Sequence, residues 1–305
     1  MLLFFEQLLN GLQLGITLFL MSAGLTLVFG VMNVINLAHG SFYMVGAYVA
    51  ATVAAHSGSF ALGVLAALPA AGLTGMLVEA LVIRRLYLRD HLDQVLATFG
   101  LILFFNELVR VVWGRQPLFL DVPGWLSGQV ELIPGAPYPS YRLAIIVAGA
   151  LVGVALWWLI ARTRLGMRIR AGASNLQMVA ALGVNIRLLN TLVFGLGALL
   201  AGLAGALAGP ILAVESGMGE SILILTFVVI VIGGIGSVRG ALIGALLVGL
   251  VDTLGRAFLP DLLRLFLPVA QADGAGASLA SMAIYILMAA VLAVRPRGLF
   301  PVSHG

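Results

Sequence analysis

Few residues in this chain could do chemistry, and the densest group of them is Asn33, Asn36, His39 and Ser41, within MNVINLAHGSFYMVGAYVA. They lie between apolar segments with no charged residue nearby. Amide, imidazole and hydroxyl groups donate and accept hydrogen bonds. The chemistry they offer is therefore the solvation of a small solute along a path, and these four are the candidate path-lining residues. A lone buried histidine is more often hydrogen-bonded structure than a ligand. HExxH spacing and paired carboxylates are both missing from the sequence, so an intramembrane enzyme has little to draw on. No metal and no cofactor are expected.

Two missing residue types narrow the chemistry further. There is no Cys, which rules out disulfides, Cys-ligated zinc and iron–sulfur clusters. All 16 basic residues are Arg. Without Lys the chain has no P-loop, which needs that side chain at the phosphates, and no Schiff-base chemistry. If ATP energises this protein, another chain hydrolyses it.

The elements that position these groups follow from composition. Of 305 residues, 62% are hydrophobic and 9% charged, with a mean hydropathy of +1.14. A soluble domain is about 25% charged. At about 20 residues per span, the apolar runs predict an all-α polytopic membrane protein of eight to nine transmembrane helices, one domain over 1–305. The first span, about Leu8 to Val31, is too long for a signal peptide and has no basic leader. The polar break at 33–41 reads as a re-entrant or broken helix, tolerated at membrane depth only against protein or a water-filled cavity, or else as a turn between two spans. A second break is expected at 233–239. Further spans run from about Phe60 to Ile83, Val95 to Trp113, Leu143 to Ile160 and Leu279 to Val294, with external loops over 114–142 and 259–277. Glu79 with Arg84, Glu107 with Arg110 and Asp252 with Arg256 are spaced to form structural ion pairs.

Small residues recur at helical spacing. Gly197, Ala201, Gly205 and Gly209 form one ridge, and Gly236, Gly240 and Gly244 another. Such ridges let helix backbones approach closely, so helix packing is their expected role. The net charge of +4 and the high isoelectric point come from arginines in short loops beside spans. That pattern sets topology and predicts no nucleic-acid partner.

The most organised of these loops is 162–187. It carries Arg162, Arg164, Arg168, Arg170 and Arg187 and no acid, which marks a cytoplasmic loop. Ser174 and Gln177 have capping-box spacing, and Gly183 sits where a left-handed helix stop is wanted. A helix of about 175–182 is predicted, presenting Leu176 and Val179. So short a helix is marginal in water unless it docks; the plainer reading is a solvated basic loop with a stray turn. Arg295 and Arg297 place the C-terminus in the cytoplasm, and nine crossings would leave the N-terminus outside.

Three stretches carry a family resemblance over nearly the whole chain. They are GLTLVFGVMNVINLAHGSFYMVGAYVA, TRLGMRIRAGASNLQMVAALGVNIRLLN and GGIGSVRGALIGALLVG, with a closing RPRGLF. Together they resemble the LivH-type permease subunits of branched-chain amino acid ABC importers. One departure lies at Gly172–Asn175, where many relatives are expected to carry an acid. The resemblance implies a heteromeric importer in the inner membrane of a bacterial cell, surrounded by lipid. It would contain a second related permease subunit, two cytosolic ATPase subunits and an extracytoplasmic substrate-binding protein. The short helix would then be the coupling helix, with Arg170, Ser174, Leu176, Val179 and Gly183 forming the ATPase-coupling site. The function implied is transport of branched-chain or other apolar amino acids. The alternative from another class is an ion-coupled secondary transporter or channel for small polar solutes, which would need a charge at the midplane and would leave the capped basic loop unexplained.

Overall fold

Only a structure that satisfies its own backbone donors and acceptors can cross a hydrocarbon layer, and the long apolar runs of this chain are helical. The computed structural model describes residues 2–133 and 135–301. Its helices are α1 (Leu2–Met32), α2 (His39–Ser57), α3 (Phe60–Leu81), α4 (His91–Trp113), α5 (Ser140–Arg162), α6 (Arg164–Ser174), α7 (Leu176–Ala181), α8 (Ile186–Ala208), α9 (Met218–Gly233), α10 (Val238–Leu263) and α11 (Val269–Val294). Strands β1 (Gln129–Ile133) and β2 (Ala136–Pro139) form an antiparallel hairpin. Seven helices are long and apolar enough to cross a membrane. The remaining passes of the expected eight to nine correspond to α2, whose 19 residues include His39, Ser41 and two tyrosines, and α9, which has only 16.

The core is built on α1 and α8, both buried along most of their length. They cross at Gly24 and Gly197, where a methyl group on Gly24 would lie 2.6 Å from the Gly197 carbonyl oxygen. Around this crossing the chain repeats one order: long helix, non-helical return, shorter helix, long helix. α1, α2 and α3 make the first unit, and α8, α9 and α10 the second. α1 packs antiparallel to α10, with Gly11 on Leu250 and Gly15 on Leu246, while α8 packs antiparallel to α3, with Ala198 at Gly75 and Gly202 at Ala71. Gly172 touches both Val31 at the end of α1 and Leu189 at the start of α8. Those two ends therefore lie together, and the units run in opposite directions, as inverted repeats of transporters do.

The break at 33–41 is a broken span and not a loop at the surface: α1 and α3 end at the same end of the bundle, so 33–57 crosses it. Asn33 turns the chain at φ +52°, and 33–38 leads back into the bundle. His39 Nε2 lies 3.1 Å from the Met21 carbonyl oxygen, so α2 starts about 16 Å inside the end of α1 at 1.5 Å per residue. The break at 233–239 is different: Gly234–Ser237 is a tight turn joining antiparallel α9 and α10, with Gly233 against Gly240.

The loop expected over 259–277 is instead mostly helical, α10 continuing to Leu263 and α11 beginning at Val269. Pro260 falls in the last turn of α10, where its missing N–H leaves the Arg256 carbonyl without that helix bond, and the helix ends three residues on. Gly276 packs on the Pro260 ring, and Arg264 pairs with both Asp261 and Asp273, pinning the two helix ends together. Within 114–142, β2 rests on α1 through a Tyr138 to Asn10 hydrogen bond of 3.1 Å.

Charge divides along the bundle. Arg84, Arg85, Arg89, Arg162, Arg164, Arg168, Arg170, Arg187, Arg239, Arg295 and Arg297 gather at one end with only Glu79, Asp90 and Asp93. The other arginines lie toward the opposite end with most of the remaining carboxylates, and Glu220 sits between the two ends beside Asn106 of α4. This asymmetry distinguishes a basic end from an acidic one.

Candidate functional site

The basic end carries the most ordered surface feature, a pair of short helices between α5 and α8. Thr163 caps α6, its hydroxyl accepting from the Gly166 N–H at 3.0 Å. Gly166, Ile169 and Gly172 face inward and the arginines outward. No apolar stripe marks this helix in the sequence, because its three inward positions include two glycines.

Helix α7 stands where the sequence placed it, within a residue at each end. Its cap is Asn175, whose Oδ1 accepts from the Met178 N–H at 2.9 Å. Ser174, expected to be the cap, is instead the last residue of α6. Asn175 is fully extended at ψ 96° between the two helices, and it alone has the geometry of an N-cap. Gly183, at φ +85°, ends α7 as expected. Its N–H donates to Ala180 and that of Val184 to Val179, a Schellman closure.

The outward face of α7 is not the expected one. Val179 is only 5% exposed, and Leu176 packs against the core. Met178 and Leu182, four residues apart, are 59% and 77% exposed. The six-residue helix must lie against α6 and α8 to persist, and that spends Leu176 and Val179 on its own support.

Arg170 donates to the Ile160 carbonyl at the end of α5, bracing the loop. A second brace sits beside it. Glu79, buried near the end of α3, accepts from Arg84 at 2.7 Å, from Tyr87 at 2.6 Å and from Thr191 of α8 at 2.7 Å. Burial, with the Glu79 carboxylate alongside, pushes the Tyr87 phenol well above its usual range.

The four path candidates do not form one site. Asn33 is exposed at the basic end and Asn36 is fully buried, with neither side-chain N nor O partnered. His39 is spent on the Met21 carbonyl. Ser41 lines a narrow cleft between α2, α4 and α9.

The small residues of the two ridges lie at these places. Gly197 meets Gly24, Gly205 meets the Tyr43 carbonyl, and Ala201 is fully buried. Gly240 and Gly244 receive α9. Gly209 stands just beyond α8 and packs on Leu120, and Gly236 lies in the turn at φ +85°, touching Gly30.

A family model described as "Branched-chain amino acid transport system / permease component" matches residues 7–293. The chain belongs to this family. It is 31% identical over 275 residues to the high-affinity branched-chain amino acid transport system permease protein LivH of Salmonella typhimurium, covering 84% of this chain and 87% of that one. It is 33% identical to the corresponding permease protein BraD of Pseudomonas aeruginosa over 264 residues, 83% of this chain and 86% of that one. A probable LivH of Methanocaldococcus jannaschii is 28% identical over 92% of this chain and 88% of its own length. No solved structure matches the chain.

As a permease component of this family the chain is a transporter subunit and not itself an enzyme. The sequence reading missed Met178 and Leu182 because an isolated apolar pair on a short helix looks the same whether it faces in or out. It also undervalued Glu79 as an interfacial pair, since Thr191 and Tyr87 reach it from other elements. Removing the Glu79 charge should loosen the base of α8. Glu79→Gln is expected to lower the melting temperature by a few degrees in detergent, followed by circular dichroism, because hydrogen bonds to a charged group are the stronger kind. Glu107→Gln, whose Arg110 partner is exposed like itself, should leave it unmoved.

Proposed function

We infer that this chain is the transmembrane permease subunit of an ATP-driven importer for branched-chain or other apolar amino acids. The basic end faces the cytoplasm, since short loops rich in Arg are retained there, and both α7 and the C-terminal arginines lie at that end. The membrane is the inner membrane of a bacterial cell. The assembly contains a second related permease subunit, two cytosolic ATPase subunits and an extracytoplasmic binding protein, with the domain 1–305 supplying one half of the path. LivH and BraD support the solute class by their names.

The observation that carries the coupling role is α7 itself. It is closed by Asn175 at one end and Gly183 at the other, braced from behind, and holds two bare apolar side chains into the aqueous phase. A helix built so firmly to expose Met178 and Leu182 fits a groove on another protein. In a chain with no lysine for a P-loop, the partner that needs such a contact is the ATPase subunit. Closure of the ATPase pair would push α7, and α6 and the Glu79 brace would pass that displacement to α5, α3 and α8.

The test is reconstitution of the chain with its candidate ATPases, second permease and binding protein in liposomes. ATP-dependent leucine uptake is the expected result. If the chain alone moves solute down an ion gradient, the secondary-transporter reading replaces this one.

A further inference from the structure

An apolar groove of about 960 Å³ runs between α5 and α10, with α1 as its floor. That is near the top of the range of about 300–1,000 Å³ that takes ligands. Small residues shape it. Gly149 and Gly153 let α5 settle on Ile16 and Phe19 of α1, and the groove ends at that contact. Val154 and Trp157 on α5 and Leu242 on α10 border it, and all three are exposed. The groove therefore opens sideways, toward the hydrocarbon layer. At its other end α6 and the first turn of α10 bring Arg170 and Arg239 to the rim.

The chemistry of the groove is divided by depth. Apart from Thr26 and the indole N–H of Trp157, the floor and the α5 wall are apolar. All the charge stands at the basic end, and no carboxylate lines the groove. Arg239 is exposed, and its side chain makes no ion pair or hydrogen bond among the described residues. Arg170 spends one N–H on the Ile160 carbonyl, and a guanidinium has five to give. Two cations without a counter-charge, at the edge of an apolar slot, suit an anion that carries a hydrocarbon tail. Basic pockets between membrane helices hold anionic lipid head groups in this way. Length separates a lipid from a protein occupant. The groove runs about 16 Å along α5 from Gly149 to Ile160, and about 22 Å along α1 from Ile16 to Val31, at 1.5 Å per residue. One leaflet has about 15 Å of hydrocarbon, whereas a spanning helix needs about 30 Å. A groove that ends at Gly149 thus fits a lipid tail and is too short for a helix of a second permease.

We propose that this groove binds one anionic phospholipid from the leaflet at the basic end. An acyl tail lies along α1 between α5 and α10. The phosphate accepts from Arg239 and from the free N–H groups of Arg170. Trp157 stands between tail and head group, where tryptophan is favoured in membranes. The head group bridges α6 to the first turn of α10, so the lipid ties the support of α7 to a long helix that packs on α1. This site is independent of which solute the chain carries.

Native mass spectrometry of the full chain, alone and assembled with its second permease and ATPases, counts the lipid retained after exchange into dioleoylphosphatidylglycerol or dioleoylphosphatidylcholine. One phosphatidylglycerol per chain is expected, held about tenfold more firmly than phosphatidylcholine with the same tails. Arg239→Gln should weaken it about fivefold, the effect of one arginine beside an anionic head group. Arg89→Gln removes the same charge elsewhere on the basic end and should not. Both arginines are exposed, so neither substitution threatens the fold. Val154→Trp enlarges a side chain that lines the groove and should lower retention with both arginines in place. Equal retention of the two lipids, equal losses from Arg239→Gln and Arg89→Gln, or full retention by Val154→Trp overturns the proposal. Lipid that is held by the isolated chain but lost in the assembly also overturns it, because the second permease subunit would then cover the groove.

Discussion

Gly205→Val is expected to remove nearly all folded protein from the membrane. A side chain at this position would drive into the Tyr43 carbonyl, and that carbonyl belongs to α2, which is itself wedged against Gly202 through Gly46. Backbone cannot yield as a flexible side-chain tip can. Overpacking typically costs about 1–3 kcal/mol, and here the upper end applies, against a total stability of only about 5–15 kcal/mol. The misplacement would also spread, because α2 carries Gly40 to its contact with Gly219. Gly100→Val is the control: nothing lies within 4 Å of a methyl group there. Monodisperse yield after detergent extraction, read by size-exclusion chromatography, measures both. Equal yields from the two variants would mean that the α2–α8 contact is not as close as described.

The second large effect concerns energy coupling. Met178→Asp combined with Leu182→Asp should leave the fold intact, since both side chains already stand in water, while severing contact with the ATPase. Truncating an interface anchor costs about 2 kcal/mol or more, which is about thirtyfold in affinity for each. Copurification of the ATPase subunits and solute-stimulated ATP hydrolysis should both collapse. Val179→Asp provides the contrast. That side chain is buried under α7, so the charge should melt the short helix and lower thermal stability before any question of docking arises. If the double variant keeps full coupling, α7 is not the docking element.

These two effects live at different levels. The glycine contacts set whether the bundle forms at all, because helix association in lipid depends on close packing and not on a hydrophobic drive. The α7 face sets whether a formed bundle is driven. Between them stands the Glu79 cluster, which ties α3, the turn after it and α8 at the end where α7 sits.

Much of this was determined by the sequence alone. The all-α polytopic class, with eight to nine spans, and the crowding of arginine at one end follow from hydropathy and charge, which act residue by residue and need no partner. The helix at α7 and its Gly183 stop were equally legible, because caps and left-handed glycines are local. The break at 33–41 was marked by polar residues with no charge among apolar runs.

What the tertiary structure decided is which way things face. Asn175 and Ser174 are both good caps, and only the end of α6 chose between them. Leu176 and Val179 were expected to present the helix, but the support of α6 and α8 turned them inward and left Met178 and Leu182 outside. His39 looked like a path residue until Met21, eighteen positions away, took its ring nitrogen. Glu220 reached Asn106 of α4 only because α9 begins beside Gly40. Each of these depends on contacts between segments far apart in the chain, and a side chain's partner across such a distance is set by packing, which no local pattern records.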